Sequence, residues 1–519
     1  MANHDIKAAL HYHNGTKHPD GYLMDPWHSY DPMNHPLLFK TYLGLEPIPF
    51  PPAPSPSGVP TLSAISRQAS ATGTDQVPDL NTLSSVLHFS AGITKRINYP
   101  WGEMAFRAAA CTGALYHIEL YLVCGELPGL EAGIYHFDPA VPALRRLRTG
   151  DYRATLAEAS GDEPAVAQAA AVIVYSDVIW RNSCKYQARE YRHAFWDSGT
   201  ILANTLAMAS AHGIPARVVL GFVDESVNRL LDLDARREVS LALVTLGYAQ
   251  EPPHGPPPTP EPLSLETVPI SDHEVEFPAI LEMHEASSLT DKAEVESWRG
   301  SVPVIGFPSP TRPLVPLDPY PDDGMPPNPI ETVIVRRGST RRFSREAITF
   351  RQLSTILQRA TRGIPADFLG PSGETFSSLY LIVNAVDGLP SGSYVFHRDQ
   401  QGLELLEEGD FRLQSGSLGL HQALPADASV DIFILADLDP VLERFGNRGY
   451  RAAQLEASIT AGKIYLAAYA QRLGATGLTF YDDAVTQFFS PHAEDKSAMF
   501  LVAVGKRAPR QLIEVETGR

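Results

Sequence analysis

The sequence predicts a mixed α/β (α+β) protein built from two fused copies of one fold, and three observations lead to that expectation. Short motifs recur in order at an almost constant spacing: Gly133-Ile-Tyr-His-Phe137 returns as Gly392-Ser-Tyr-Val-Phe396 and Gly150-Asp151 as Gly409-Asp410, each at a shift of 259 residues. Tyr191-Arg192 returns as Tyr450-Arg451 at 259, and Asp224 and Gly247 return as Asp482 and Gly505 at 258. Chance does not preserve such an order, so two homologous halves follow. Each half also alternates apolar strands with helical periodicity. Finally, 519 residues with 44% hydrophobic and 20% charged content suit two packed globular units rather than one.

Taken in order, residues 1–60 form an N-terminal arm rich in aromatics and histidine, closed by a proline cluster at 47–60. The first copy spans 61–250. Its apolar run Val172–Tyr175 reads as a strand, and a helix begins near Tyr191-Arg192. Ile201, Leu202, Leu206 and Ala209 follow at helical spacing before the stop signal Gly213. Residues 251–329 carry 19 of the 44 prolines and are expected to be an extended linker with little regular structure. The second copy, 330–510, repeats the strand at Ile432–Leu435 and the helix up to Gly474.

A net charge of -18, with no Lys/Arg block, leaves no electrostatic footprint for nucleic acid. No apolar run is long enough to span a bilayer, and the first residues lack an apolar h-region, so a cytoplasmic protein without membrane partners is expected. Cys111, Cys124 and Cys184 form no CxxC pair. Six of the 17 histidines (His4, His11, His13, His18, His28, His35) crowd the first 35 residues without metal-motif spacing, and no metal is predicted.

Chemistry concentrates at the start of the second copy, Arg336-Arg337-Gly338-Ser339-Thr340-Arg341-Arg342-Phe343. Guanidinium forks with a hydroxyl between them suit a phosphomonoester. This Arg-x-Ser-x-Arg-x-Phe opening (Arg337, Ser339, Arg341, Phe343) resembles the FMN-phosphate motif of the nitroreductase superfamily. The resemblance implies an FMN cofactor and an intramolecular pseudo-dimer of nitroreductase-like domains. It also implies that a basic pair after the last strand, Lys506-Arg507, reaches the phosphate and that Leu478 and Thr479 belong to the cofactor pocket.

In the first copy, Arg107-Ala-Ala-Ala110-Cys111-Thr112-Gly113-Ala114-Leu115-Tyr116-His117 is similar to the R-x-x-P-S-x-G-A-L-Y-P segment of SagB-type azoline dehydrogenases, with Ala110 and Cys111 in place of Pro and Ser. By that resemblance Ala110, Cys111 and Thr112 pack on a flavin ring held mainly by the other copy. Lys185-Tyr186 resembles the Lys-Tyr general base of the same enzymes, and a Lys or Tyr with a pKa tuned by burial suits proton removal coupled to hydride loss. The second copy has Arg444-Phe445 instead.

Conversely, the stretch Arg67-Gln-Ala-Ser70-Ala-Thr72 keeps one arginine of the phosphate motif. The copies have lost complementary parts, so one complete composite site is expected. Three functions compete. The first is a SagB-like dehydrogenase acting on a C–N or C–C bond of a small-molecule or modified-peptide substrate, with partners in a biosynthetic complex. The second is an NAD(P)H-dependent nitro- or quinone reductase. The third is a non-catalytic flavin-binding or scaffold partner.

Overall fold

The computed structural model describes residues 2–19, 30–51, 56–67, 76–100, 102–251, 253, 255, 257–299, 309–370 and 374–509. Each half holds one seven-stranded antiparallel sheet. The first runs, edge to edge, Pro47–Pro49, Ala143–Thr149, Gly133–Asp138, Ile118–Cys124, Ala171–Val178, Glu238–Leu246, Ala216–Val219. The second repeats that order with Leu314–Pro316, Gly402–Glu408, Gly392–His397, Ser377–Val383, Val430–Ala436, Ser497–Gly505, Gly474–Leu478. The strands read as unbroken apolar runs because both sheet faces are covered. In the first half Leu120, Leu122, Ile173 and Tyr175 enter the main core, while Tyr121, Val123, Val172 and Val174 enter a second cluster on the opposite face.

Two long helices, α1 (Glu190–Ala211) and α2 (Arg448–Ala470), cross at the centre of the main core. Gly199 lies against Ser458, where an added Cβ would come within 1.9 Å of Oγ, and Gly462 lies against Ala203 at 2.6 Å. In each contact a residue meets its own repeat mate, which happens only on a two-fold axis, so the fused halves pack as a pseudo-symmetric dimer.

The repeated Tyr-Arg pairs and aspartates turn out to be one device used twice. Asp482 of the second half takes Arg192 Nη1 at 2.6 Å and Arg189 Nη1 at 3.1 Å from the first half. Asp224 of the first half takes Arg448 Nη1 at 2.6 Å and Arg451 Nη1 at 2.7 Å from the second. All six side chains are buried, so each carboxylate is indispensable to two guanidiniums that have no water to fall back on.

The arm and the linker depart from expectation. Residues 251–329 contain the helices Pro278–Ala286 and Lys292–Arg299 and supply the edge strand Leu314–Pro316. The arm docks likewise, with helix Lys7–Gly15 and edge strand Pro47–Pro49. Their contacts correspond at a shift of 271. Arg192 donates to His13 O (2.5 Å) and Thr16 Oγ1 (2.9 Å), as Arg451 does to His284 O (2.7 Å) and Ser287 Oγ (2.8 Å). His18 N and Leu289 N each donate to the cluster aspartate, at 2.9 and 3.0 Å. The proline-rich stretch is therefore the second copy's version of the arm. Ser70, Thr72 and His28 lie outside the described residues.

Candidate functional site

The motif segment of the second half lies on the loop that the sequence singled out in the first. Arg337 donates from Nε to Ala108 O at 2.9 Å and from Nη2 to Arg107 O at 3.1 Å. This leaves Nη1 for another acceptor. Ser339 bridges Ala475, and Thr340 N donates to Ala475 O at 2.9 Å. Phe343 bridges Arg507, and Ser344 N donates to Lys506 O at 3.0 Å. Residues 337–344, Gly474–Leu478 and Lys506-Arg507 therefore form one surface. Arg341, Lys506 and Arg507 are exposed on it. Lys506 pairs with Glu346 at 3.3 Å, and Arg507 lies over the Tyr469 ring at 5.6 Å. Leu478 ends its strand, and the next residue, Thr479, has a buried Oγ1 with no hydrogen-bond partner among the described residues.

The facing loop is strained. Gly113, Ala114 and Tyr116 all take positive φ (64°, 56° and 51°), a conformation that the surroundings must enforce. At Gly113 the need for glycine is also steric, since a Cβ would stand 2.9 Å from Tyr186 Oη. Asp197, on α1, is the anchor: it accepts from Thr112 N (3.0 and 2.9 Å), Thr112 Oγ1 (2.9 Å) and Cys111 Sγ (3.0 Å). Thr200 Oγ1 donates to Ala110 O at 2.7 Å. Ala110, Cys111 and Thr112 thus sit where α1 meets the second half's motif, beside a small open pocket lined by Arg107, Ala109, Cys111, Tyr116 and Asp197.

Lys185 and Tyr186 end the helix Ile179–Tyr186 rather than starting one. Tyr186 packs edge-on against His193, with ring centroids 4.7 Å apart, and Lys185 Nζ lies 5.3 Å from the Tyr186 ring. Burial, reinforced by Asp197 and Cys111, holds the Tyr186 phenol well above its ordinary range.

The sequence reading missed what stands behind Asp197. His117 bridges Asp197 (Nε2, 2.8 Å) and Asp177 (Nδ1, 2.7 Å), with Glu190 at 3.3 Å, all buried. Burial opposes the imidazolium, but Asp177 and the hydrogen bonds to Asp177, Asp197 and Glu190 outweigh it, so the His117 pKa stands well above its usual value. Burial, then Asp177, raises that of Glu190. Cys111 likewise remains a thiol, raised by burial and then by Asp197. The hints in the sequence were His117, standing where the similar loop segment ends in Pro, and acidic residues inside otherwise apolar segments, without motif spacing.

Two α/β halves related by a pseudo-two-fold axis, with a cationic hydroxyl-bearing segment of one against a strained loop of the other, define the class of flavin oxidoreductases that work as dimers. This chain belongs to the nitroreductase family, which matches residues 104–248 and 334–506, more than half its length. Among its relatives, the microcin B17-processing protein McbC of Escherichia coli is 29% identical over 140 residues, 26% of this chain and 52% of McbC. The trifolitoxin-processing protein TfxB of Rhizobium leguminosarum bv. trifolii is 28% identical over 170 residues, 30% of this chain and 43% of TfxB. The match thus spans about half of each of these proteins or less. A nitroreductase-like crystal structure from Anabaena variabilis superposes on the same fold with a TM-score of 0.75 at 23% identity, covering 96% of this chain and 99% of that one. Among the described residues, no helix is long and apolar enough to cross a membrane.

Proposed function

We propose that the protein is an FMN-dependent dehydrogenase of the SagB type that oxidises a C–N or C–C bond in a modified-peptide or related substrate, using one composite site per chain. The observation that carries the reading is the seating of Arg337 on the carbonyls of Arg107 and Ala108, which joins the phosphate-type segment of one half to the loop and Lys-Tyr pair of the other. The residues fit the cofactor. Arg337, Ser339, Arg341, Lys506 and Arg507 offer charge-assisted donors for a phosphate, and the partnerless Thr479 Oγ1 offers a further polar contact. Leu478 and the Ala110-Cys111-Thr112 loop would flank the ring.

FMN, when bound, supplies the acceptor for a hydride. The chain supplies the rest. Asp197 fixes the ring loop, and His117 Nε2, 2.8 Å away, holds Asp197 in place. Lys185 Nζ, above the Tyr186 ring, is the atom that takes the substrate's acidic proton, and the Tyr186 phenol, kept protonated by burial, stands beside it against Gly113. The names of McbC and TfxB, as microcin B17- and trifolitoxin-processing proteins, support a substrate of the modified-peptide kind over a nitroaromatic or quinone.

The test is the Arg337→Ala, Arg341→Ala double variant. Each lost charge-assisted contact costs roughly 1.5–3 kcal/mol, so the flavin should be stripped on dialysis while far-UV circular dichroism stays unchanged. A double variant that remains fully yellow would move the cofactor site elsewhere.

A further inference from the structure

We propose a zinc site in the second half, formed by His397, Glu404 and His492, which no motif spacing in the sequence announced. His397 closes the strand Gly392–His397, Glu404 lies on the neighbouring strand Gly402–Glu408, and His492 follows the helix Asp482–Phe489. One donor atom from each lies within 4.8 Å of the other two. None of the three belongs to the segments that form the composite site.

The hydrogen bonds around the cluster leave it prepared for a cation. His492 Nδ1 is 2.9 Å from Tyr380 Oη, which is also 3.1 Å from His492 O. The phenol can donate to that carbonyl, so Nδ1 carries the proton and donates to the phenol. This fixes the tautomer in which Nε2 bears a lone pair. That Nε2 is buried and has no partner among the described residues. Glu404 is oriented in the same way. Its Oε1 accepts from Thr311 N (2.9 Å), Thr311 Oγ1 (2.7 Å) and Arg312 N (3.0 Å), leaving Oε2 for the cluster. Ligands held from behind by hydrogen bonds, with one lone pair left facing inward, are the outer-shell pattern of metal sites.

The donor set is two imidazoles and one carboxylate, which suits Zn²⁺ with its fourth position left to water, and His492 is partly exposed, giving the ion a way in. His397 Nε2 and Glu404 Oε2 now share a proton across 2.7 Å. Zinc would take the place of that hydrogen bond, with the His397 ring proton carried on Nδ1, and would part the two atoms to the roughly 3.3 Å edge of a tetrahedron with bonds near 2.0 Å. The first half shows that the fold does not require this cluster. At the repeat-mate positions stand Asp138 and Arg145, which form an ordinary ion pair at 2.9 Å.

The test uses the full-length, flavin-loaded protein after chelator treatment and dialysis, titrated with Zn²⁺ alone by calorimetry and with Co²⁺ alone by visible absorption. We expect one Zn²⁺ per chain and cobalt ligand-field bands. His492→Gln, a change on a partly exposed loop that spares the buried Glu404, should weaken binding at least a hundredfold and abolish the cobalt bands, with flavin content unchanged. Tyr380→Phe should weaken binding about tenfold. Absence of stoichiometric binding in the parent protein would overturn the site, as would zinc binding that His492→Gln and His397→Gln leave intact, which would instead place the ion on other histidines.

Discussion

The pseudo-two-fold axis sets each element of the candidate site beside a counterpart that has gone another way. Asp197 anchors the ring loop through Thr112 and Cys111 and is backed by His117, whereas its mate Glu456 is hydrogen-bonded, among the described residues, to Thr375 (2.5 Å), Ser377 (2.6 Å) and Thr460 (3.5 Å). Burial raises the pKa of Glu456, favouring a neutral acid where the first half sets Asp197 against His117. The mates of Lys185 and Tyr186 are Arg444, which donates to Trp298 O at 3.0 Å, and Phe445, fully inside the core. The opposite side still has an open pocket lined by Glu456, Thr375, Ser377 and Arg398. Duplication preserved the scaffold and its axis while the chemistry-bearing side chains diverged. On the proposed function, that divergence would separate a working site from a relic.

The largest effect should come from exchanging the two pairs for inert ones. Lys185→Ala with Tyr186→Phe should lower substrate oxidation roughly a hundred- to ten-thousand-fold, leaving flavin content and dithionite reduction of the flavin unchanged. Arg444→Ala with Phe445→Leu should leave turnover per folded molecule near normal, although the Phe445 change costs stability. Equal losses of turnover in both double variants would mean that two sites work and that the asymmetry is not functional.

Next in size are the buried Asp–Arg clusters, where the two sides are alike. Asp224→Asn and Asp482→Asn each strand two buried guanidiniums and should each cost about 3–5 kcal/mol, read as a shift in denaturation midpoint. The clusters also lock different segments. Asp482→Asn should speed proteolysis of the N-terminal arm, and Asp224→Asn that of residues 278–299. For pH, burial alone would raise the Asp224 pKa, but Arg448 and Arg451 outweigh it and hold the carboxyl down to about 2. A depressed carboxyl contributes its full stability above the unfolded value of about 3.9 and loses it as pH falls toward 2. The acid limb of the stability curve should therefore flatten in Asp224→Asn. An unchanged limb would assign acid sensitivity to other groups.

Much of this architecture was legible in the sequence because repeats and apolar strands are local patterns. Val172–Tyr175 and Ile432–Leu435 lie inside the observed strands, and the helix expected near Tyr191 begins at Glu190. What stayed hidden depends on contacts across the axis. Arg192 and Asp482 were both recognised as repeated positions, yet nothing local joins residues 290 apart in sequence. The arm and the proline-rich stretch escaped comparison because they match at 271 rather than 259. They also share backbone donors and hydroxyls more than residue identities. At the site, Arg337, Cys111, Thr112 and Tyr186 were named from motifs, whereas His117, Asp177, Glu190 and Asp197 acquire meaning only when a strand end and a helix face close on one another.

The smallest predicted effect sharpens the comparison at the relic side. Lys463, the mate of Asn204, is buried on α2 with one hydrogen bond, to Gly363 O at 2.8 Å, whereas Asn204 donates to Phe89 O at 3.0 Å. Burial, aided by Arg398 and opposed by Glu456, lowers the Lys463 pKa to about 7. The unfolded chain binds the lysine proton up to about pH 10.4, so between pH 7 and 10 it holds more protons than the folded one. Stability from this group therefore rises with pH across that window and is at its poorest below 7. Lys463→Met, similar in length and uncharged, should be more stable than the parent at pH 6, by about 1–3 kcal/mol, and the advantage should shrink toward pH 10. Turnover should not change, because the lysine lines a separate pocket with Arg67, Ala203 and Arg362 and, among the described residues, touches none of the composite site. If the variant were instead less stable by the same amount at both pH values, the bond to Gly363 would be the lysine's role. The buried charge would then be a structural tie rather than a remnant of a lost site.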